Sequence, residues 1–130
     1  MHLRSGSKVG GSFYAKPEFL NKPLIIEKFL KELVIRLEMT ALDYHVYDVC
    51  TAVKRLGQEP LVDEGGVTGM AVLSTSHAAI HTWPEESGAT FDIHSCREFN
   101  NQIVVDLIKE VFQADKIDIY DLSYSLKEKL

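Results

Sequence analysis

The 130-residue chain contains no run of eighteen apolar residues, so no helix of the length needed to cross a bilayer is expected. It is poor in cysteine. Cys50 and Cys96 are the only two, which excludes a disulfide framework and is the usage of a cytoplasmic protein with free thiols. It also lacks a basic cluster. With 14 Lys and Arg against 19 Asp and Glu the formal charge is −5, which excludes a nucleic-acid footprint and leans towards a cationic small-molecule substrate through long-range steering. The opening "MHLRSGSKVGGS" has no apolar h-region and is not expected to act as a secretory signal. No repeat at a solenoid period and no low-complexity tract interrupts the chain. The remaining composition, 45% hydrophobic and 25% charged, suits one domain spanning residues 1–130.

Residues 1–11 are rich in Gly, Ser and Lys and read as a loose arm. "GSFYA" then predicts a short strand. Asn21 and Pro23 announce a helix whose apolar positions Ile26, Phe29, Leu30, Leu33, Val34 and Leu37 fall on one stripe between Leu24 and Glu38. The β-branched and aromatic content of "ALDYHVYDVCTAV" predicts a strand, and "KRLGQEPLVDEGG" a loop. Three further strands follow, "VTGMAVL", "AAIHTW" and "ATFDIHSC", the first two joined by a polar connection over residues 74–77. Asn100 and Asn101 precede a second amphipathic helix carrying Ile103, Val104, Leu107, Ile108, Val111 and Phe112, and "KIDIYDL" closes the fold as a strand. This order predicts an α/β (α+β) two-layer sandwich, a mostly antiparallel sheet with two main helices on one face.

Chemistry-bearing residues concentrate in "TSHAAIHTWPEESGATFDIHSC", residues 75–96. His77, His81, His94 and Cys96 are metal-ligand types, but His77 and His81 on one strand lie roughly 13 Å apart, too far to chelate one ion, and no metal is expected. Ser76 is not in a Gly-x-Ser-x-Gly elbow, and in a regular strand its neighbour His77 points to the opposite face, which argues against a serine hydrolase. A hairpin without chemistry, with Trp83 and His81 as ordinary packing residues, accounts for each residue taken singly.

Taken together, Gly66-Val67-Thr68-Gly69, Ser76-His77, Ile80-His81-Thr82-Trp83-Pro84-Glu85 and Ser95-Cys96 resemble, in order and spacing, the central segment of the short bacterial and archaeal S-adenosylmethionine decarboxylases. Outside that segment the likeness is one of element order, from about residue 10 to residue 122. The resemblance implies a pyruvoyl enzyme made by self-cleavage between Thr75 and Ser76, into pieces 1–75 and 76–130. The serine hydroxyl attacks the carbonyl of the residue before it, β-elimination breaks the chain, and the dehydroalanine left behind hydrolyses to a pyruvoyl cofactor. That carbonyl forms a Schiff base with the substrate amine and takes up the electrons of the departing carbon dioxide. By position, Ser76 is then the pyruvoyl precursor, His81 and Thr68 assist processing, Cys96 returns a proton to the decarboxylated carbon, and Glu85 holds the ribose hydroxyls of S-adenosylmethionine. The resemblance also implies a homodimer of processed protomers and a place in polyamine and spermidine synthesis.

The sequence departs from the family at three places. Thr75 stands where the family has glutamate, "GGSFYAKPE" lacks the family's N-terminal Gly-x-His-x-x-x-acidic pattern, and the loop before Gly66 is long. Two alternatives follow: a pyruvoyl decarboxylase of arginine or ornithine, or an unprocessed regulatory or binding homologue. Ser76 and His81 are five residues apart, roughly 16 Å if extended, and serve one centre only if Ser76 sits in a turn that bends back or if cleavage frees its new end.

Overall fold

A computed structural model describes residues 4–126. Seven strands form one antiparallel sheet: β1 (Arg4–Tyr14), β2 (Ala41–Asp48), β3 (Val67–Leu73), β4 (Ser76–Trp83), β5 (Gly88–Ser95), β6 (Asp115–Asp121) and β7 (Tyr124–Leu126). The order across the sheet is β2-β3-β4-β5-β1-β6, with β7 paired to the start of β1. Among the described residues four α-helices accompany the sheet: α1 (Pro17–Leu20), α2 (Pro23–Arg36), α3 (Val49–Arg55) and α4 (Asn101–Phe112). The two long helices pack on one face of the sheet, giving the expected two-layer α+β sandwich.

Helix α2 opens on Pro23 and buries Ile26, Phe29, Leu30, Leu33 and Val34, the stripe its spacing predicts. It lies so close to β3 that a Cβ on Gly69 would come within 2.7 Å of Ile26 Cγ2. Helix α4 starts at Asn100, whose side chain accepts from the Gln102 N–H, and buries Val104, Leu107, Ile108 and Phe112. Phe112 is fully buried, with its ring 5.0 Å from Phe13 of β1 and 5.2 Å from Phe29 of α2, so one side chain joins both helices to the sheet.

Several expectations are corrected. The Gly/Ser-rich arm is not loose over residues 4–11. It forms most of β1, paired with β5 on one side and β6 on the other; residues 1–3 lie outside the described residues. The predicted strand 41–53 ends at Asp48, which caps α3 by accepting from the Thr51 N–H and turns "VCTAV" into helix. Lys54 and Arg55 finish that helix rather than opening the loop. "KIDIYDL" is followed by β7, so it is not the last strand. The connection expected over residues 74–77 is only a two-residue turn at 74–75, because Leu73 pairs directly with Ser76.

Candidate active site

Strand β4 carries most of the candidate residues. Ala78, Ile80 and Thr82 are buried against the helices, so His77, His81 and Trp83 face the helix-free side of the sheet. Strict alternation would send Ser76 into the core. Its backbone departs from extended geometry instead, with φ at 146°, a conformation that costs a residue other than glycine about 1–3 kcal/mol. Through that departure Ser76 Oγ lies 3.1 Å from His77 Nδ1 and 3.1 Å from His94 Nδ1. The argument that Ser76 and His77 must point apart, sound for a regular strand, is therefore corrected at this residue.

The turn before Ser76 is held by β5. The Thr75 carbonyl accepts from the Cys96 backbone N–H at 3.0 Å, and Thr75 Oγ1 accepts from Ser95 Oγ at 2.9 Å. Ser95 is fully buried and its Oγ also accepts from the Arg97 N–H. A hydroxyl, the carbonyl next to it and a backbone donor on that carbonyl thus converge at one end of the sheet. The Cys96 thiol is free and exposed just beyond β5. The structure brings Thr75, Ser76 and Cys96 together.

A second group occupies the other end of β4. Thr68 and His81 are direct partners across β3 and β4, with Thr68 Oγ1 2.6 Å from His81 Nδ1. The Trp83 ring stands edge-on to His81 at 4.4 Å. Glu85 lies in the exposed 3-10 turn Pro84–Glu86 that follows. Burial pushes the His81 imidazole below its ordinary value, and the Glu85 carboxylate offsets part of that. A shallow cleft begins here, lined among others by Thr68, His81, Thr90 and Asp92.

The two groups are not joined within one chain. Ser76 is the first residue of β4, not part of a turn bending back, so about 16 Å of regular strand separates it from His81. Sequence reasoning left Asp92 and Tyr124 unmarked, quoted Ser95 and His77 in the family-like motifs without giving them a role, and weighed His94 only as a metal ligand. Yet His77 Nε2 is 2.9 Å from Asp92 Oδ2, and His94 Nε2 is 2.7 Å from Tyr124 Oη. Among the described residues no three His, Cys, Asp or Glu side chains converge as a metal site would require, and no helix is long and apolar enough to cross a membrane.

The sequence model of the S-adenosylmethionine decarboxylase family matches residues 9–123. The chain belongs to that family of decarboxylating enzymes. It is 28% identical over 99 residues to an S-adenosylmethionine decarboxylase proenzyme of Thermomicrobium roseum, covering 75% of each chain. A proenzyme of the same name from Methanococcus aeolicus is 45% identical over 58 residues, 44% of this chain and 50% of that one. An arginine decarboxylase proenzyme of Caldivirga maquilingensis is 41% identical over 78 residues, 60% of this chain and 54% of its own. Matches to the last two thus span about half of those relatives' length. The fold is similar to a crystal structure of the adenosylmethionine decarboxylase of Aquifex aeolicus, with a TM-score of 0.69, 23% identity and coverage of 91% and 88%.

Proposed function

We propose that this chain is a proenzyme that cuts itself between Thr75 and Ser76 and then decarboxylates S-adenosylmethionine, supplying the aminopropyl donor of spermidine and polyamine synthesis. One observation carries the reading. The carbonyl that Ser76 would attack is already held by the Cys96 N–H, while the Ser76 hydroxyl beside it is held by two imidazoles. Attack at that carbonyl builds charge on its oxygen, and a fixed backbone donor is the group suited to stabilise it. Thr75 supplies the carbonyl as any residue would, and its hydroxyl, anchored by Ser95, fixes the turn in place of a carboxylate.

Ser76 fits the precursor of a pyruvoyl group, since its unfavourable φ is released once the amide joining it to Thr75 is broken. Such a group supplies a carbonyl that takes up the electrons released with carbon dioxide. Around it the exposed Cys96 thiol is the proton donor to the product carbon, and Glu85 is the two-oxygen acceptor for ribose hydroxyls. His81, kept neutral by burial and bonded to Thr68, is the base for removing a proton from carbon during elimination.

His81 reaches Ser76 in a homodimer. Both groups face the helix-free side of the sheet, where Met70, Val72, Tyr47 and Tyr120 are exposed. A two-fold axis between the groups would lay one protomer's Thr68–His81 pair on its partner's Ser76 turn, and the reverse.

Intact mass of the purified chain tests the proposal. Pieces 1–75 and 76–130 should appear, the second with a borohydride-sensitive carbonyl, while Ser76→Ala stays whole. A wild-type chain that stays whole after long incubation refutes it and leaves the unprocessed binding homologue. The arginine decarboxylase relative favours a second reading, with the same chemistry on arginine or ornithine. Release of labelled carbon dioxide from each substrate separates the two, and Glu85→Gln should raise KM for S-adenosylmethionine alone.

A further inference from the structure

We infer that five side chains on the open face, Tyr124, His94, Ser76, His77 and Asp92, form a one-directional proton relay in which His77 is the base that activates the Ser76 hydroxyl. The inference deepens the self-cleavage reading above and rests on it for the reaction served. Its basis is the hydrogen-bond directions that these contacts permit.

An ionised Asp92 can only accept, so His77 must donate to it from Nε2, 2.9 Å away. A neutral His77 then has a bare Nδ1, and the Ser76 hydroxyl 3.1 Å from it must donate. With its proton committed, Ser76 Oγ has only lone pairs left, so His94 donates to it from Nδ1 at 3.1 Å. Neutral His94 is then bare at Nε2, where the Tyr124 hydroxyl donates at 2.7 Å. With Asp92 ionised and both rings neutral, one assignment satisfies every member, and all four protons point from Tyr124 towards Asp92.

The register makes this arrangement specific. His77 and His94 are direct cross-strand partners, their rings edge-on at 5.9 Å, and Asp92 is the diagonal neighbour of His77. Tyr124 is delivered by β7 through its pairing with Gly6 of β1. Gly6 leaves room for it, since a Cβ there would lie 2.7 Å from the Tyr124 hydroxyl oxygen. The His77–Asp92 pair is open to solvent, with side-chain exposures of 36% and 52%, and a contact so exposed contributes little to stability. Its value lies in fixing the tautomer of His77, the task a carboxylate performs for the histidine of a serine hydrolase.

The step balances. The Ser76 Oγ–H proton moves to His77 Nδ1 as Oγ bonds to the Thr75 carbonyl carbon. The bond from that carbon to the Ser76 nitrogen breaks, and His77 returns the proton to the nitrogen. The product is an ester with a free amine, and no outside reactant is consumed. His77 and His94 touch the reacting oxygen, whereas Asp92 and Tyr124 are positioning residues. A base of this kind also explains how a chain with threonine at position 75 dispenses with a carboxylate before the serine.

The test follows cleavage of the freshly purified full-length chain by mass. His77→Gln should slow it by about 10²–10⁴-fold, the usual share of a general base. Asp92→Asn should slow it too, by releasing the wrong tautomer, and His94→Phe and Tyr124→Phe by smaller factors. Equal rates for wild type, His77→Gln and Asp92→Asn overturn the relay while the self-cleavage reading stands. A second measurement does not depend on cleavage. In the Ser76→Ala chain, where the His77–Asp92 contact remains, nitrogen-15 ring spectra should show His77 protonated at Nε2, a preference that Asp92→Asn abolishes. The opposite tautomer at His77 overturns the relay whatever the variants do. If the wild-type chain never cleaves, the self-cleavage reading falls, and a fluorophosphonate decides the relay. Labelling of Ser76 that is lost in His77→Gln sustains it; an unlabelled Ser76 overturns it.

Discussion

Replacing Thr82 by valine tests whether this threonine, inside "IHTWPE", serves the frame rather than the chemistry. Thr82 is fully buried, and its hydroxyl accepts from the Val67 N–H at 3.0 Å and donates to the Leu20 carbonyl at 2.7 Å. It thereby ties the first residue of β3 and the end of α1 to β4. Valine has nearly the same shape but strands both backbone groups away from water, at about 1–3 kcal/mol each. The added methyl recovers about 0.8 kcal/mol of apolar burial, leaving a net loss of about 3 kcal/mol. Serine keeps both hydrogen bonds and gives up one methyl, a loss of about 1 kcal/mol. The assay is urea unfolding of the uncut Ser76→Ala chain at fixed protein concentration, with the m-value required to stay constant. Hydrophobic burial alone ranks valine above serine; the hydrogen-bond argument ranks serine above valine. A valine variant as stable as the serine variant refutes the reasoning.

Three further outcomes are expected in the same background. Phe112→Ala should cost about 3–5 kcal/mol, read from the urea midpoint, because the fully buried ring joins Phe13 to Phe29. Glycine at position 76 should be more stable than alanine by about 1 kcal/mol or more, since a φ of 146° penalises any Cβ; equal midpoints would remove the strain argument. His81 is held below the ordinary imidazole value of about 6.5, so the unfolded chain binds the extra proton first as pH falls. Stability should therefore be full above about pH 7.5, decline as pH falls through about 6.5, and level off below the folded value. His81→Gln should flatten that decline in a series of urea midpoints against pH.

The helices were legible because α2 and α4 each bury one stripe, and a 3.6-residue period survives without knowledge of the partner surface. The Gly/Ser-rich half of β1 was not, because its pairing is non-local. Residues 9–12 sit between β5 and β6 and owe their strand to those neighbours, not to propensity. Helix α3 was misread because "VCTAV" has strand composition; the signal against it was Asp48, three residues before the amide it caps. Within the site, the order of Thr68, Ser76, His81, Glu85 and Cys96 was readable. The partnership of Ser76 with His77 was not, since it depends on one dihedral that breaks the alternation. Asp92 and His94, two apart in "FDIHS", share a face by that same alternation, but only the register of β4 on β5 sets them against His77.

The strand order also determines what a cut at residue 75 would leave. Piece 1–75 contributes β2, β3 and β1, and piece 76–130 contributes β4, β5, β6 and β7. Across the sheet the pieces alternate, with β1 of the first lodged between β5 and β6 of the second, and β3 zipped to β4. Each piece alone has gaps in its sheet that only the other fills, so the severed protein is an interleaved heterodimer held by whole ladders of backbone hydrogen bonds. Such a molecule can lose a peptide bond at a hairpin tip without loosening. Separately made pieces should find each other slowly, because neither has a finished surface to present.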